Sequence, residues 1–167
     1  MAIRKVIHDG DPVLRKKSKE VINFDSGLKE LFDDMLETLK KENGAGISAV
    51  QVGVLKRAFI VIDNKDFVFV INPSILSSSG SCKTKIEGCL SVPDRCGLVD
   101  RPNVVVAKFQ DLKGNWIERT FKGFNAKAFC HEYDHLDGIL YTDRATRMFD
   151  SYEDYYEYKD KIKENKR

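Results

Sequence analysis

The strongest constraint on the fold is a pair of β-branched and aromatic tracts, each broken by turn residues. Between Arg57 and Ile75 the chain runs AFIVI and FVFVI, broken by DNKD and by Pro73, and from Val104 to Phe121 it runs VVVAKF and then breaks at DLKGN. Short apolar runs bounded by turn residues read as strands, with hairpins expected at Asn64-Lys65 and Lys113-Gly114. Upstream, Leu28, Leu31, Phe32, Met35, Leu36 and Leu39 recur at three- and four-residue steps, which predicts an amphipathic helix from Asp25 to Asn43, capped by Asp25 or Ser26 and ended by Gly44. A second helix is expected from Phe124 to about Leu136, where no Pro or Gly interrupts the chain before Gly138. Strands and helices mix without strict alternation and without an internal repeat, so the class is α+β, one domain over 1–167. From about 145 to 167 the sequence turns charged and tyrosine-rich, which suits a surface helix or frayed tail with no catalytic part.

At 167 residues, 42% hydrophobic and 32% charged, the chain can bury a core without covalent staples. Acidic and basic residues interleave to a net charge of +2, which argues against a nucleic-acid partner. MAIRKVIHDGDPVL holds no apolar run of signal-peptide kind and no later segment approaches membrane-spanning length, so a cytoplasmic location is expected. Cys82, Cys89, Cys96 and Cys130 form no CxxC pair and are expected as thiols, in the core or on a metal.

The chemistry concentrates at HEYDH, residues 131–135. Two of the chain's three histidines stand four residues apart there, so successive helical turns bring His131 and His135 to one face within reach of one ion, with Glu132 close enough to meet a water beside it. The bland alternative is a pair of hydrogen-bonded helix histidines. A catalytic site takes three protein ligands and one open position. Spacing does not choose the third among the cysteines, His8 and the carboxylates. Cys130 is rotated about 100° around the helix from His131 and is badly placed. Cys89, in EGCLS just before Pro93, is better placed, since a flexible non-helical stretch can present a thiolate to a helix; otherwise it is a small buried apolar residue.

GAGISAVQ at 44–51, EGCLS at 87–91 and HEYDHLDG at 131–138 resemble, in order and spacing, the three motifs of the peptide deformylase family, and the resemblance spans roughly Ile3 to Arg144. It implies a mixed α+β fold with antiparallel strands packed around the HEYDH helix, and that Cys89, His131 and His135 hold the cation. It also implies that Glu132 is the general base and acid, that Gln51 and the Leu90 N–H steady the oxyanion, and that the peptide lies extended along Gly46, Ile47 and Gly88. The implied cation is ferrous iron, with Zn2+, Ni2+ or Co2+ able to substitute; the implied substrates are N-formyl-methionyl nascent peptides, met near the ribosome by a monomeric enzyme. Ile47, Ile86, Phe124 and Ala128 are candidates for an apolar pocket or plain core, and Glu87 with Arg101 for a supporting ion pair. Two departures stand out: Ser48 where the family usually has Ala, and Cys130 where it usually has Gln.

Two other readings compete. HEYDHLDGILY approaches the HExxHxxGxxH pattern of zinc peptidases, but Tyr141 stands where the last His belongs. A closed structural site with four protein ligands is disfavoured by the adjacent Glu132 and by Gln51.

Overall fold

The computed structural model describes residues 1–166; Arg167, the last residue of the charged tail, lies outside the described residues. The chain order is α1 (Ser26–Glu42), β1 (Gly46–Ser48), β2 (Ala58–Asp63), β3 (Asp66–Ser78), β4 (Cys82–Cys89), β5 (Val92–Pro102), β6 (Val104–Gln110), β7 (Trp116–Lys122), α2 (Phe124–His135), a one-turn α3 (Tyr141–Arg144), β8 (Arg147–Phe149) and α4 (Tyr152–Asn165). Two antiparallel sheets result, one in the order β1-β2-β3-β6-β7 and one in the order β4-β5-β8.

The unbroken apolar character of β2 and β3 follows from burial on both faces of the larger sheet. Phe59, Val61, Val68 and Val70 point to one side and pack with Phe121, Ala126 and Phe129 under α2. Their neighbours Ala58, Ile60 and Ile71 point to the other and meet Leu28, Phe32, Met35 and Leu39 of α1. The alternation is the two-residue period of a strand, and it makes α2 the helix carried on the sheet's inner face. Phe129 sits between Phe59 and Phe121, at centroid distances of 5.2 and 4.7 Å, and fixes the rotation of α2 on the sheet.

Three boundaries differ from the sequence expectation. Helix α1 begins at the expected cap, Asp25 accepting from the Leu28 N–H at 3.0 Å, but the left-handed residue at its end is Asn43 (φ 53°), one before Gly44. Pro73 does not end the strand, because the register of β3 slips between Ile71 and Ser74 and the proline falls in that bulge. There Asn72 takes φ 50°, and its side-chain amide bonds both the N–H and the carbonyl of Val21. The stretch around EGCLS is non-helical, as expected, but it is not a loop throughout: Glu87 to Cys89 end β4, which pairs with β5 with a register shift between Glu87 and Cys89. The hairpins at Asn64-Lys65 and around Gly114 (φ 82°) form as expected.

Candidate metal centre

Helix α2 is capped at Gly123 and carries the whole of HEYDH in its second half, beside the strands of both sheets. His131 and His135 face the same way, with ring centroids 5.1 Å apart. Opposite them, Cys89 sits at the end of β4, where a slip in register after Glu87 turns the strand into the Leu90-Ser91 corner. The Cys89 sulfur lies 3.4 Å from His135 Nε2, and the three ligand atoms of Cys89, His131 and His135 all lie within 4.8 Å of one another. Ligands at the usual zinc-to-sulfur and zinc-to-nitrogen lengths and a tetrahedral angle stand about 3.6 Å apart, so this donor set has the spacing one divalent cation needs. Cys82, Cys96, Cys130 and His8 stand outside the cluster.

The histidines are oriented from behind. Glu87 accepts from His131 Nδ1 at 2.8 Å, which leaves Nε2 free for an ion. Arg101 grips Glu87 with two N–H groups, at 2.8 and 3.1 Å, and donates a third to Asp134 at 2.7 Å. Arg144, from α3, binds both Asp134 oxygens at 2.6 and 3.1 Å. The pair expected between Glu87 and Arg101 is therefore buried and tied into α2 through Asp134, with Tyr141 stacked on His131 at 5.9 Å. Burial pushes the Glu87 carboxyl up, but its bonds to His131 and Arg101 outweigh burial and hold it down at about 2. Sequence reasoning missed Asp134, Arg144 and Tyr141; HExDH followed by an Arg ten residues after the Asp was the available signal, but only the α2–α3 turn brings those groups together.

Glu132 is buried and raised in pKa, chiefly by that burial. Its carboxylate receives the Ser48 hydroxyl at Oε2, 2.7 Å away, and its stem packs so close to Gly46 that a Cβ there would lie 2.9 Å from both Cγ and Oε1. Gln51, also buried, accepts the Ser48 N–H at 2.9 Å and directs its amide nitrogen to Ser91 Oγ at 3.0 Å and to the Cys89 sulfur at 3.5 Å.

These groups open on a groove of about 950 Å³, lined by Gly46, Gly88, Cys89, Leu90, His131 and Glu132 among others. Ile86, Phe124 and Ala128 form its apolar wall, whereas Ile47 turns its fully buried side chain into the core beneath α1. The tail, given no part in the sequence reading, folds as α4 and brings Tyr152 to the groove beside Gly88. Cys130 is buried in the core under α2, and burial pushes its thiol up to about 11.

A helix with two histidines and a glutamate, one strand-borne cysteine and an open groove define a metal-dependent hydrolase with a vacant side for substrate. The model of the polypeptide deformylase family matches residues 3–150. Peptide deformylase from Finegoldia magna is 45% identical over 151 residues, covering 89% of this chain and 93% of that protein. The crystal structure of peptide deformylase from Thermotoga maritima superposes with a TM-score of 0.86 at 37% identity, over 88% of this chain and all of that one. A Met-Ala-Ser-bound structure of the class I type b peptide deformylase from Acinetobacter baumannii superposes with a TM-score of 0.82 at 36% identity, over 86% and 98%. The chain belongs to the polypeptide deformylase family, metal-dependent hydrolases that remove the N-formyl group from nascent peptides. Among the described residues no helix is long and apolar enough to cross a membrane.

Proposed function

We propose that Glu132 is the general base and acid of the deformylation, working within the Cys89–His131–His135 site on an N-formyl-methionyl peptide held in the adjoining groove. The observation that carries this reading is a buried carboxylate next to the three donors, with Oε1 free of any hydrogen-bond partner among the described residues. When bound, the cation supplies Lewis acidity, making water a better nucleophile and polarising the formyl oxygen. Glu132 takes a proton from the attacking water as oxygen bonds to the formyl carbon. It returns that proton to the peptide nitrogen as the C–N bond breaks, giving formate and a free amine. Gln51 and the Leu90 N–H, the latter outside the strand ladder in the Cys89–Val92 turn, are the donors for the charge that builds on the formyl oxygen.

Edge strand β4 and the β1 backbone at Gly46 and Ile47 offer main-chain groups to an extended peptide, with Gly88 facing it and Ile86, Phe124 and Ala128 taking the methionine side chain. The Acinetobacter protein to which this chain is similar is Met-Ala-Ser bound, which supports a methionyl peptide as the ligand class. A thiolate with two imidazoles suits iron as well as zinc; ferrous iron is the cellular cation in this reading, and zinc, nickel or cobalt can replace it. The chain acts as one catalytic domain, a cytoplasmic monomer working close to the ribosome.

The test is formate release from a formyl-Met-Ala-Ser peptide by protein purified anaerobically with ferrous iron. Glu132→Gln should bind the cation at wild-type stoichiometry and lose about a hundredfold or more in kcat. Turnover by that variant at the wild-type rate rules out the assigned role, and undiminished activity after aerobic storage without metal exchange rules out iron.

A further inference from the structure

We propose that Ser48 is a positioning residue for the reaction, its hydroxyl locking the Glu132 carboxylate so that only Oε1 exchanges protons; this rests on the reading of Glu132 as general base. Gly46 and Ser48 are two residues apart on β1 and therefore share the face that looks at α2. Between them they enclose one side chain. On the Gly46 side the stem and Oε1 of Glu132 pass at a distance that leaves no room for a Cβ. On the Ser48 side the hydroxyl oxygen is 2.7 Å from Oε2 and 3.2 Å from the Glu132 carbonyl.

The hydroxyl carries one proton, and the two acceptors compete for it. The carboxylate is nearer, at the usual length for an O–H donor, and its charge makes the stronger bond, so the proton points to Oε2. Ser48 is itself held: it is fully buried, and its N–H is bonded to Gln51 Oε1. With its backbone fixed, its oxygen can move only by rotation about χ1, within the space that full burial leaves. The consequence is a division of labour between the two Glu132 oxygens. Oε2 is engaged by Ser48, while Oε1 lies against Gly46, has no hydrogen-bond partner among the described residues and is left for proton transfer, both residues lining the groove.

The experiment measures kcat, KM and bound metal for wild type, Ser48→Ala, Ser48→Cys and Glu132→Gln on the same formyl peptide. The Cys variant fills nearly the same space but donates weakly, so it separates the hydroxyl from simple packing. Both Ser48 variants should lose roughly tenfold in kcat, the scale of one hydrogen bond to a charged group, with KM and metal content unchanged. In a crystal structure of Ser48→Ala the Glu132 carboxylate should leave its single rotamer. Wild-type kcat in Ser48→Cys, or a loss confined to KM or to bound metal, overturns the proposal. If Ser48 variants run at the wild-type rate while Glu132→Gln is inactive, the positioning role alone fails; if Glu132→Gln still turns over, the general-base reading fails and takes this one with it.

Discussion

Single side chains here are placed by what stands beside them more than by their own preferences. Gly46 shows this most plainly. Its place in the first motif fits a backbone approached by another chain, yet within the molecule the close neighbours are Glu132 and the Ile60 carbonyl, 3.0 Å from where a Cβ would sit. Gly46→Ala should therefore displace Glu132 while leaving Cys89, His131 and His135 free to bind metal. The expected outcome is a fall in kcat of at least tenfold with bound metal unchanged, checked by formate release and metal analysis; an alanine variant with wild-type kcat means that the sheet yields instead. Cys130 teaches the complementary lesson. An oxidisable thiol next to a metal ligand in sequence is, in the fold, a buried member of the core cluster that includes Phe59 and Phe129, because adjacent helix positions diverge by about 100°.

At the scale of elements, what repeats along the chain was legible and what depends on distant partners was not. The periodicity of Leu28 to Leu39 and the apolar runs of β2, β3 and β6 name their elements because burial on one or two faces leaves a pattern in the sequence. Strands β4 and β5 left no such mark: CKTKIEGC and VPDRCGLVDRP are polar or mixed, since one carries the groove and the other buries charged Arg101. The cation ligands on α2 were readable from local spacing, whereas Cys89 was favoured only by its non-helical setting and fixed by the family motif, because more than forty residues separate it from His131. The end of α2 also depends on tertiary contact. Gly138 has φ 74°, and a Cβ there would run into the Arg15 carbonyl, so the turn can close only on glycine. Gly138→Ala should lower stability by on the order of 1–3 kcal/mol, read as a lower urea midpoint. An unchanged midpoint shows that the N-terminal segment can move aside without cost.

Across the whole molecule, the N-terminal arm is what joins the periphery to the groove. Ile3 to Val6 line the groove, and the arm is tied to α1 by Asp34, which accepts from the Ala2 N–H at 2.8 Å and from Arg4 Nε at 2.9 Å. The Ala2 bond, then Arg4, against the opposing effect of burial, hold the Asp34 carboxyl below its ordinary 3.8. A carboxyl whose pKa is lower when folded contributes stability fully above its unfolded value and loses it as pH falls through the folded one. Amide exchange in residues 2–6 should therefore stay slow from neutral pH down to about 4, after correction for intrinsic rates, and accelerate below the ordinary 3.8; Asp34→Asn should remove that step. Protection that is flat through the acid range shows that apolar contacts alone hold the arm.

In the proposed mechanism one strand-borne cysteine and two helix histidines hold the cation while Glu132 moves the proton. One assay tests both halves: formate release from a formyl-methionyl peptide, with bound metal measured on the same samples, for wild type, Glu132→Ala and Cys89→Ala. Turnover is expected in wild type, metal without turnover in Glu132→Ala, and loss of both in Cys89→Ala. Wild-type protein that binds metal but releases no formate, or a Cys89→Ala variant that keeps both metal and activity, contradicts that mechanism.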